Sequence, residues 1–95
     1  MSHFVYILAS RPGGAIYVGA ALDLRQRIEQ HRLGSAGSHT KKYQIHTLVY
    51  FEQHDTLEAA LIREKQLKRW RRVWKDELIG KLNPKWRDIA DQIPL

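Results

Sequence analysis

Two short apolar runs joined by a turn constrain the fold of this chain more than any other feature. Residues 4–9 (FVYILA) and 15–19 (AIYVG) are rich in β-branched and aromatic side chains, which favour strands. The Arg-Pro-Gly-Gly segment over 11–14 favours a turn between them. An even-length loop centred on Gly13 and Gly14 pairs even positions of the first strand with odd positions of the second. The sequence therefore predicts a β-hairpin of defined register.

This register divides the hairpin side chains between two faces. Tyr6 and Leu8 share one face with Tyr17 and Gly19, and the aliphatic residues take the other. Two phenols from different strands therefore approach each other, and Gly19 leaves space beside them because it has no side chain. Two ordinary core tyrosines would give the same pattern.

A short helix is predicted after the hairpin. Asp23 caps it, Gln26 stands at its third position, and Gly34 ends it. Arg27 and His31 are four residues apart, so they lie side by side on one stripe close to the hairpin. Arginine can stabilise phosphate charge, and histidine can bind a phosphate oxygen or carry a proton. An exposed basic helix face is the alternative.

A loop over 35–44 and a third strand over 45–52 are predicted next. The loop contains Gly and Ser, and its end is basic and aromatic: Lys41, Lys42 and Tyr43. These residues could contact a phosphate backbone, or the segment could be a mobile loop alone.

A basic helix with a carboxylate in its apolar stripe is predicted over 58–70. Asp55 is its expected cap, with Glu58 as the capping-box partner. One face of this helix carries Leu57, Ala60, Leu61, Glu64, Leu67 and Lys68. Between residues 63 and 75 there are seven Lys or Arg, and Glu64 is the only acid. This combination suits a metal held against a phosphate, whereas a Glu paired with a neighbouring Lys or Arg is the structural alternative.

The helical pattern is predicted to continue beyond residue 70. A 3.6-residue period of apolar side chains comprises Trp70, Val73, Trp74 and Leu78. We expect these side chains to be core, although the cations that flank them leave a base-stacking role open. Gly80 and the Asn83-Pro84 pair are predicted to interrupt the helix, and Pro84 to begin a short terminal helix containing Trp86 and Ile89.

Length and charge bound the function. The 95 residues are predicted to form one domain over 1–95, and the formal net charge of +6 implies an anionic partner, most often nucleic acid. The absence of cysteine excludes disulfides and thiolate metal sites. No run approaches the roughly 18 apolar residues of a membrane span, and we expect a cytoplasmic protein.

The ordered set of motifs resembles the GIY-YIG nuclease family. Phe4-Val-Tyr6 and Tyr17-Val-Gly19 correspond to the two motifs that give the family its name. The Asp-Leu-x-x-Arg run ending at Arg27, the following His31, the Tyr43 region, the REKQLKRW run around Glu64 and the C-terminal NPKWRD element agree in order. The resemblance covers nearly the whole chain and is to the small stand-alone bacterial members. Phe4 and Val18 depart from the motif letters, and Ala20 stands where some relatives carry a lysine or a hydroxyl.

This resemblance implies an α+β fold, with a small three-stranded antiparallel sheet flanked by helices. It also implies hydrolysis of DNA phosphodiester bonds with one divalent metal, Mg²⁺ or Mn²⁺, bound by Glu64. Tyr6 or Tyr17 would activate or position the attacking water. Arg27 would stabilise the extra negative charge of the phosphorane, and His31 would assist the water or a non-bridging oxygen.

The DNA could be branched, damaged or single-stranded. The residues predicted to contact it are Lys41, Lys42, Tyr43, Arg63, Lys68, Arg69, Arg72 and Asn83. Two other functions remain open at this point. One is a nucleic-acid-binding module that is slow or silent as an enzyme and acts with a partner. The other is a protein-interaction domain that uses Trp70, Trp74 and Trp86.

Overall fold

A three-stranded antiparallel sheet forms the centre of the fold. The computed structural model describes residues 2–33 and 43–94. The strands are β1 (His3–Ala9), β2 (Ile16–Ala21) and β3 (Thr47–His54), in the spatial order β2-β1-β3. The described residues form three α-helices, namely α1 (Leu24–Arg32), α2 (Leu57–Arg69) and α3 (Arg72–Leu82), and one 3₁₀ turn (Ala90–Gln92). The predicted α+β arrangement is confirmed.

The predicted division of the hairpin between two faces is also confirmed, although the loop is centred between Pro12 and Gly13 and not between Gly13 and Gly14. Tyr6 lies opposite Gly19, and Leu8 lies opposite Tyr17. Strand β1 is central, so both of its edges are paired, and apolar side chains of other elements cover both of its faces. This position explains why its sequence is a continuous apolar run rather than an alternating one.

The sheet separates two apolar clusters. The first contains Tyr6 and Leu8 of β1 together with Leu24 and Ile28 of α1, and the C-terminal Ile89 and Ile93 close it. The second contains the opposite face of β1, where Val5 and Ile7 pack with side chains of α2 and α3: Ala60, Leu67 and Ile79. Helix α1 and the two basic helices therefore lie against opposite faces of the strand that carries Tyr6.

The N-terminus of α1 was predicted correctly, but that of α2 was not. The Asp23 side chain accepts a hydrogen bond from the Gln26 amide at 3.0 Å. In α2 the cap is Thr56 instead of Asp55, because the extended Thr56 places its hydroxyl 3.1 Å from the Ala59 amide.

Burial along α2 is narrower than predicted. Ala60 and Leu67 are fully buried and Glu64 is mostly buried, whereas Leu57 and Leu61 remain about half exposed. The stripe at 60, 64 and 67 faces the sheet. Leu61 lies about 100° around the helix axis from Ala60, which turns it away from the sheet.

The basic region is two helices and not one. Trp70 adopts an extended conformation (φ −64°, ψ 149°) that ends α2, and α3 begins at Arg72. The helical period therefore restarts, which leaves Val73 and Trp74 exposed and buries Ile79. The prediction that Val73 and Trp74 are core residues was wrong for this reason.

The C-terminal segment is organised by Asn83. Helix α3 runs through Gly80 without interruption, and no α-helix follows Pro84 within the described residues. Asn83 is buried, and its side-chain amide donates to the carbonyls of Val49 (3.1 Å) and Arg87 (2.7 Å). Its side-chain carbonyl accepts from the Arg87 amide at 3.0 Å. These bonds hold residues 83–87 as a loop, and they give Asn83 a structural role in place of the predicted nucleic-acid contact.

The remaining predictions concern the basic end of the loop before β3 and the possibility of a membrane-spanning helix. Lys41 and Lys42 lie outside the described residues, whereas Tyr43 is described and half exposed. No helix among the described residues has the length and apolarity to cross a membrane.

Candidate active site

Four of the predicted site residues meet beside the hairpin. Tyr6 comes from β1 and Tyr17 from β2, while Arg27 and His31 come from α1. The Tyr6 hydroxyl and His31 Nε2 are 3.0 Å apart and form a buried hydrogen bond. The ring centroid of His31 lies 5.2 Å from that of Tyr17 and 5.9 Å from that of Tyr6. We name this group of four residues the tyrosine–histidine cluster.

Helix α1 is positioned by its apolar side chains. Leu24 and Ile28 are buried in the cluster of apolar residues beneath the hairpin, and His31 follows Ile28 by three positions on the same side. His31 is thereby 1% exposed. Arg27 lies at the edge of this buried stripe and is partly exposed, so its guanidinium remains within reach of a phosphate.

Gly19 makes room for the two phenols. A Cβ atom at this position would lie 2.6 Å from Cζ and from the hydroxyl oxygen of Tyr6, and 3.0 Å from Tyr17 Cε2. The distances to Tyr6 are too short for non-bonded atoms, and the distance to Tyr17 would be a tight contact. The missing side chain is therefore what allows the tyrosines to share one face of the hairpin.

Burial keeps Tyr6 protonated. Tyr6 has no exposed surface, and this burial raises the pKa of its phenol far above the ordinary value. The nearby Tyr17 raises it further, whereas the charge and hydrogen bond of Arg27 oppose the shift. Tyr6 is therefore a neutral phenol throughout the physiological pH range.

Burial also keeps His31 neutral. Desolvation lowers its pKa, and the positive charge of Arg27 and the neighbouring His46 act in the same direction. A neutral phenol and a neutral imidazole are both satisfied when the Tyr6 hydroxyl donates to His31 Nε2. The Tyr6 oxygen then accepts from Arg27. This network fixes the ring orientation of His31.

Glu64 of α2 lies within electrostatic range of the cluster. Its carboxylate is close enough to raise the pKa of Tyr6 by its charge, and its side chain is 18% exposed. Glu64 Oε2 also lies 3.2 Å from Lys68 Nζ, four residues further along the helix. Such pairs are weak, and the half-exposed lysine can leave without a large cost.

The donor set is compatible with a hard divalent cation. The described residues contain no group of three His, Cys, Asp or Glu side chains placed to hold a metal. A single carboxylate at the edge of a basic surface fits an ion such as Mg²⁺, which keeps several waters and is completed by substrate phosphate oxygens. Glu64 is the residue that would hold it.

The predicted phosphate contacts fall into two groups. Lys68 and Arg69 are exposed on α2. Arg63 donates to Glu52 Oε1 at 2.8 Å and lies over the Trp70 ring, while Arg72 pairs with Asp76 and donates to the carbonyl of Gly14. Arg63 and Arg72 are thus engaged within the protein.

Sequence reasoning missed a second polar cluster on β3. Glu52 accepts hydrogen bonds from the Tyr50 hydroxyl and from Arg63, and pairs with His54 Nε2 at 2.8 Å. These contacts lower the pKa of Glu52 against the effect of its burial, and the pKa of Tyr50 is raised to about 12 by desolvation and by Glu52. The signal was present as three polar residues at every second position, which share one face of a strand.

Comparison with known proteins finds relatives over most of the chain. The model of the GIY-YIG catalytic domain matches residues 2–77. A UPF0213 protein of Staphylococcus aureus strain Mu3 is 40% identical over 78 residues, which are 82% of this chain and 94% of that protein. The solution NMR structure of the UPF0213 protein BH0048 from Bacillus halodurans superposes with a TM-score of 0.52 at 30% identity, and the match covers 84% of each chain.

A substitution at Gly19 tests the packing of the tyrosines. We expect Gly19→Ala to lower the free energy of unfolding by about 1–3 kcal/mol, because the added methyl group overlaps the Tyr6 ring. Gly80→Ala is the matched control. A Cβ there meets nothing within 4 Å, so the helix should gain roughly 0.5–1 kcal/mol. Urea unfolding of both variants measures the difference, and equal stability of the two variants would contradict the packing.

The lowered pKa of His31 predicts a pH dependence of stability. Below a pH of about 6.5, the imidazole of residue 31 is protonated in the unfolded chain, whereas the lowered pKa of His31 keeps it neutral in the folded protein. The free energy of unfolding should therefore fall as pH drops from about 7, by at most about 1.4 kcal/mol per pH unit from this residue. His31→Gln should flatten the dependence in this range. Urea unfolding at several pH values compares the two proteins, and parallel curves would rule out a buried neutral His31.

Proposed function

Because the chain belongs to the GIY-YIG catalytic domain family, whose chemistry is of the nuclease type, we propose that it is a metal-dependent endonuclease that hydrolyses DNA phosphodiester bonds. The observation that carries this proposal is the tyrosine–histidine cluster, with Glu64 in electrostatic range of it. A surface that only binds nucleic acid needs neither a buried phenol–imidazole pair nor a carboxylate among cations.

Glu64 is the proposed metal ligand. The ion is Mg²⁺ or Mn²⁺, and when bound it would neutralise charge on the scissile phosphate. Glu64 would hold it through one carboxylate, with the substrate supplying oxygen ligands. Without an ion, Glu64 would repel the same phosphate, so its presence in a field of lysines and arginines supports a metal there.

Exposure separates the roles of the two tyrosines. Tyr6 has no exposed surface and a strongly raised pKa, so it contacts neither water nor substrate and serves as a positioning residue. Tyr17 is partly exposed and lies beside the His31 ring. We therefore assign to Tyr17 the positioning and activation of the attacking water.

Arg27 and His31 complete the reaction site. Arg27 is partly exposed, and its guanidinium can form two hydrogen bonds to phosphate oxygens, which stabilises the charge that develops during hydrolysis. His31 is held neutral, but it is 1% exposed and its Nε2 accepts from the Tyr6 hydroxyl, so we assign it the positioning of the adjacent Tyr17 ring rather than proton transfer. The bond from Tyr6 fixes its orientation.

A second candidate is a nucleic-acid-binding module without cleavage. The observation that favours it is the Glu64–Lys68 pair, since a carboxylate neutralised by lysine does not repel DNA even in the absence of an ion. The two functions differ in what removal of Glu64 does. A module would bind DNA equally well or better without this carboxylate.

Loss of Glu64 is the first test of the nuclease. End-labelled single-stranded, duplex and branched DNA should be cut at low salt with Mg²⁺ or Mn²⁺, and EDTA should stop the reaction. Glu64→Ala should lower the rate at least about 10²-fold, because a metal ligand contributes several kcal/mol to the transition state. Glu58→Ala is the control, since this exposed glutamate lies on the same helix. Cleavage that survives in Glu64→Ala would remove Glu64 from the site, and tight binding without cleavage by the intact protein would favour the module.

The two tyrosines should differ in kinetic effect. Tyr17→Phe removes the phenol that acts on water and should lower kcat about 10²- to 10⁴-fold. Tyr6→Phe removes one hydrogen bond to His31 and should cost roughly 2- to 10-fold. It should also move the acidic limb of the pH–rate profile to higher pH, because a donor that favours neutral His31 is lost. A larger loss for Tyr6→Phe than for Tyr17→Phe would reverse the assignment.

A further inference from the structure

A cleft between the end of α2 and the exposed side of α3 takes no part in the proposed hydrolysis. Its volume is about 330 Å³, and its lining comprises Trp70, Trp74, Glu77, Leu78 and Lys81. This volume lies at the lower end of the range of small-molecule pockets in proteins. We name it the tryptophan cleft.

The Trp70 wall of the cleft is held in place from the sheet. The Arg63 guanidinium lies 5.0 Å from the Trp70 ring centroid, in a cation–π contact. Arg63 is itself fixed by its hydrogen bond to Glu52, and Glu52 is held by Tyr50 and His54. The missed polar cluster on β3 thus has a consequence at the surface, because it orients one wall of the cleft before any ligand binds.

The Trp74 wall is exposed. This ring stands nearly perpendicular to Trp70, with an interplanar angle of 86° and 6.3 Å between centroids. The Trp74 residue is 48% exposed, although an indole is costly to leave in water. Arg71 lies 5.6 Å from its ring centroid. An exposed aromatic surface beside a cation is the combination that binds nucleobases in single-stranded nucleic acids.

The charged side chains in and beside the cleft indicate whether a base or a phosphate would occupy it. Arg69 and Arg71 are exposed, Arg71 lies beside the Trp74 ring, and Lys81 lines the cleft together with Glu77. The Glu77 carboxylate disfavours a phosphate next to it, whereas Lys81 and Arg71 favour one. A base against the Trp70 and Trp74 rings, with its phosphates on the side of Arg71 and Lys81, matches this distribution, and the Glu77 carboxylate can accept from an amino group of the base. The base must be unpaired, because duplex stacking covers both of its faces.

We propose that the tryptophan cleft binds an unpaired base of single-stranded DNA, by stacking on Trp74 and Trp70 with the adjacent phosphates on Arg71 and Lys81. Trp70 follows Glu64 by six residues, or about 9 Å along the axis of α2, so the cleft begins within two helical turns of the proposed metal ligand. This inference rests on the proposed function, since it names single-stranded or locally unpaired DNA as the substrate of that site.

Binding without cleavage tests the inference separately from the nuclease. Fluorescence anisotropy of a labelled oligothymidylate is measured in EDTA at low salt, beside a duplex of equal length. Trp74→Ala should weaken binding of the single strand roughly 5- to 150-fold, as expected for the loss of one stacked base. It should change duplex binding less than about twofold. Trp74→Phe should retain most of the affinity, because the ring is kept. Val73→Ala, an exposed neighbour on the same helix, should bind as the intact protein does.

Tryptophan emission of the intact protein gives a second measurement, which does not depend on whether Trp74→Ala folds. The oligothymidylate should quench it, and the quenching should be smaller in Trp74→Phe. An equal loss of single-strand and duplex affinity in Trp74→Ala, no loss at all, or absent quenching at saturation would overturn the proposal and indicate a surface for another partner. A single-strand preference that depends on Trp74 in a protein that never cuts DNA would support the cleft while removing the nuclease.

Discussion

The register of the β1/β2 hairpin is the constraint on which the candidate site depends. Because Tyr6 lies opposite Gly19 and Leu8 opposite Tyr17, both phenols are on the face of the sheet that α1 covers. A shift of one residue would send them to the opposite face, where α2 and α3 pack. The absent side chain of Gly19 then lets the rings approach, and the buried bond from Tyr6 to His31 ties α1 to the hairpin. The contacts that hold α1 against the hairpin are therefore the same contacts that build the candidate site.

This part of the molecule could be predicted from sequence because local rules decide it. The strand period of two and an even-length turn over residues 11–14 decide which side chains share a face. The Asp23 cap sets the phase of α1, and the spacing of four then puts Arg27 beside His31. Each step uses residues that are near one another in the chain. The family resemblance adds roles to these residues, and the family match over residues 2–77 agrees with it.

The second half of the chain resisted prediction because tertiary contacts decide it. The apolar period from Trp70 to Leu78 is continuous in sequence, yet the extended backbone of Trp70 breaks the helix there and changes which side chains face the sheet. Asn83 reads as a polar residue free to bind DNA, but its partners are backbone groups of Val49 and Arg87. The carbonyl of Val49 is supplied by β3, which only the folded structure places beside residue 83. The Glu52 cluster depends in the same way on Arg63, eleven residues further on.

The break at Trp70 also has a positive consequence. Had α2 continued, Trp74 would have followed Trp70 by one helical turn on the same stripe, and both would have been buried or exposed together. Instead Trp70 is partly buried and held by Arg63, while Trp74 projects beside it at the surface. Arg63 thereby connects the carboxylate of Glu52 to an aromatic wall, and the residue that follows Arg63 is Glu64. One turn of α2 thus carries both the proposed metal ligand and the support of the cleft.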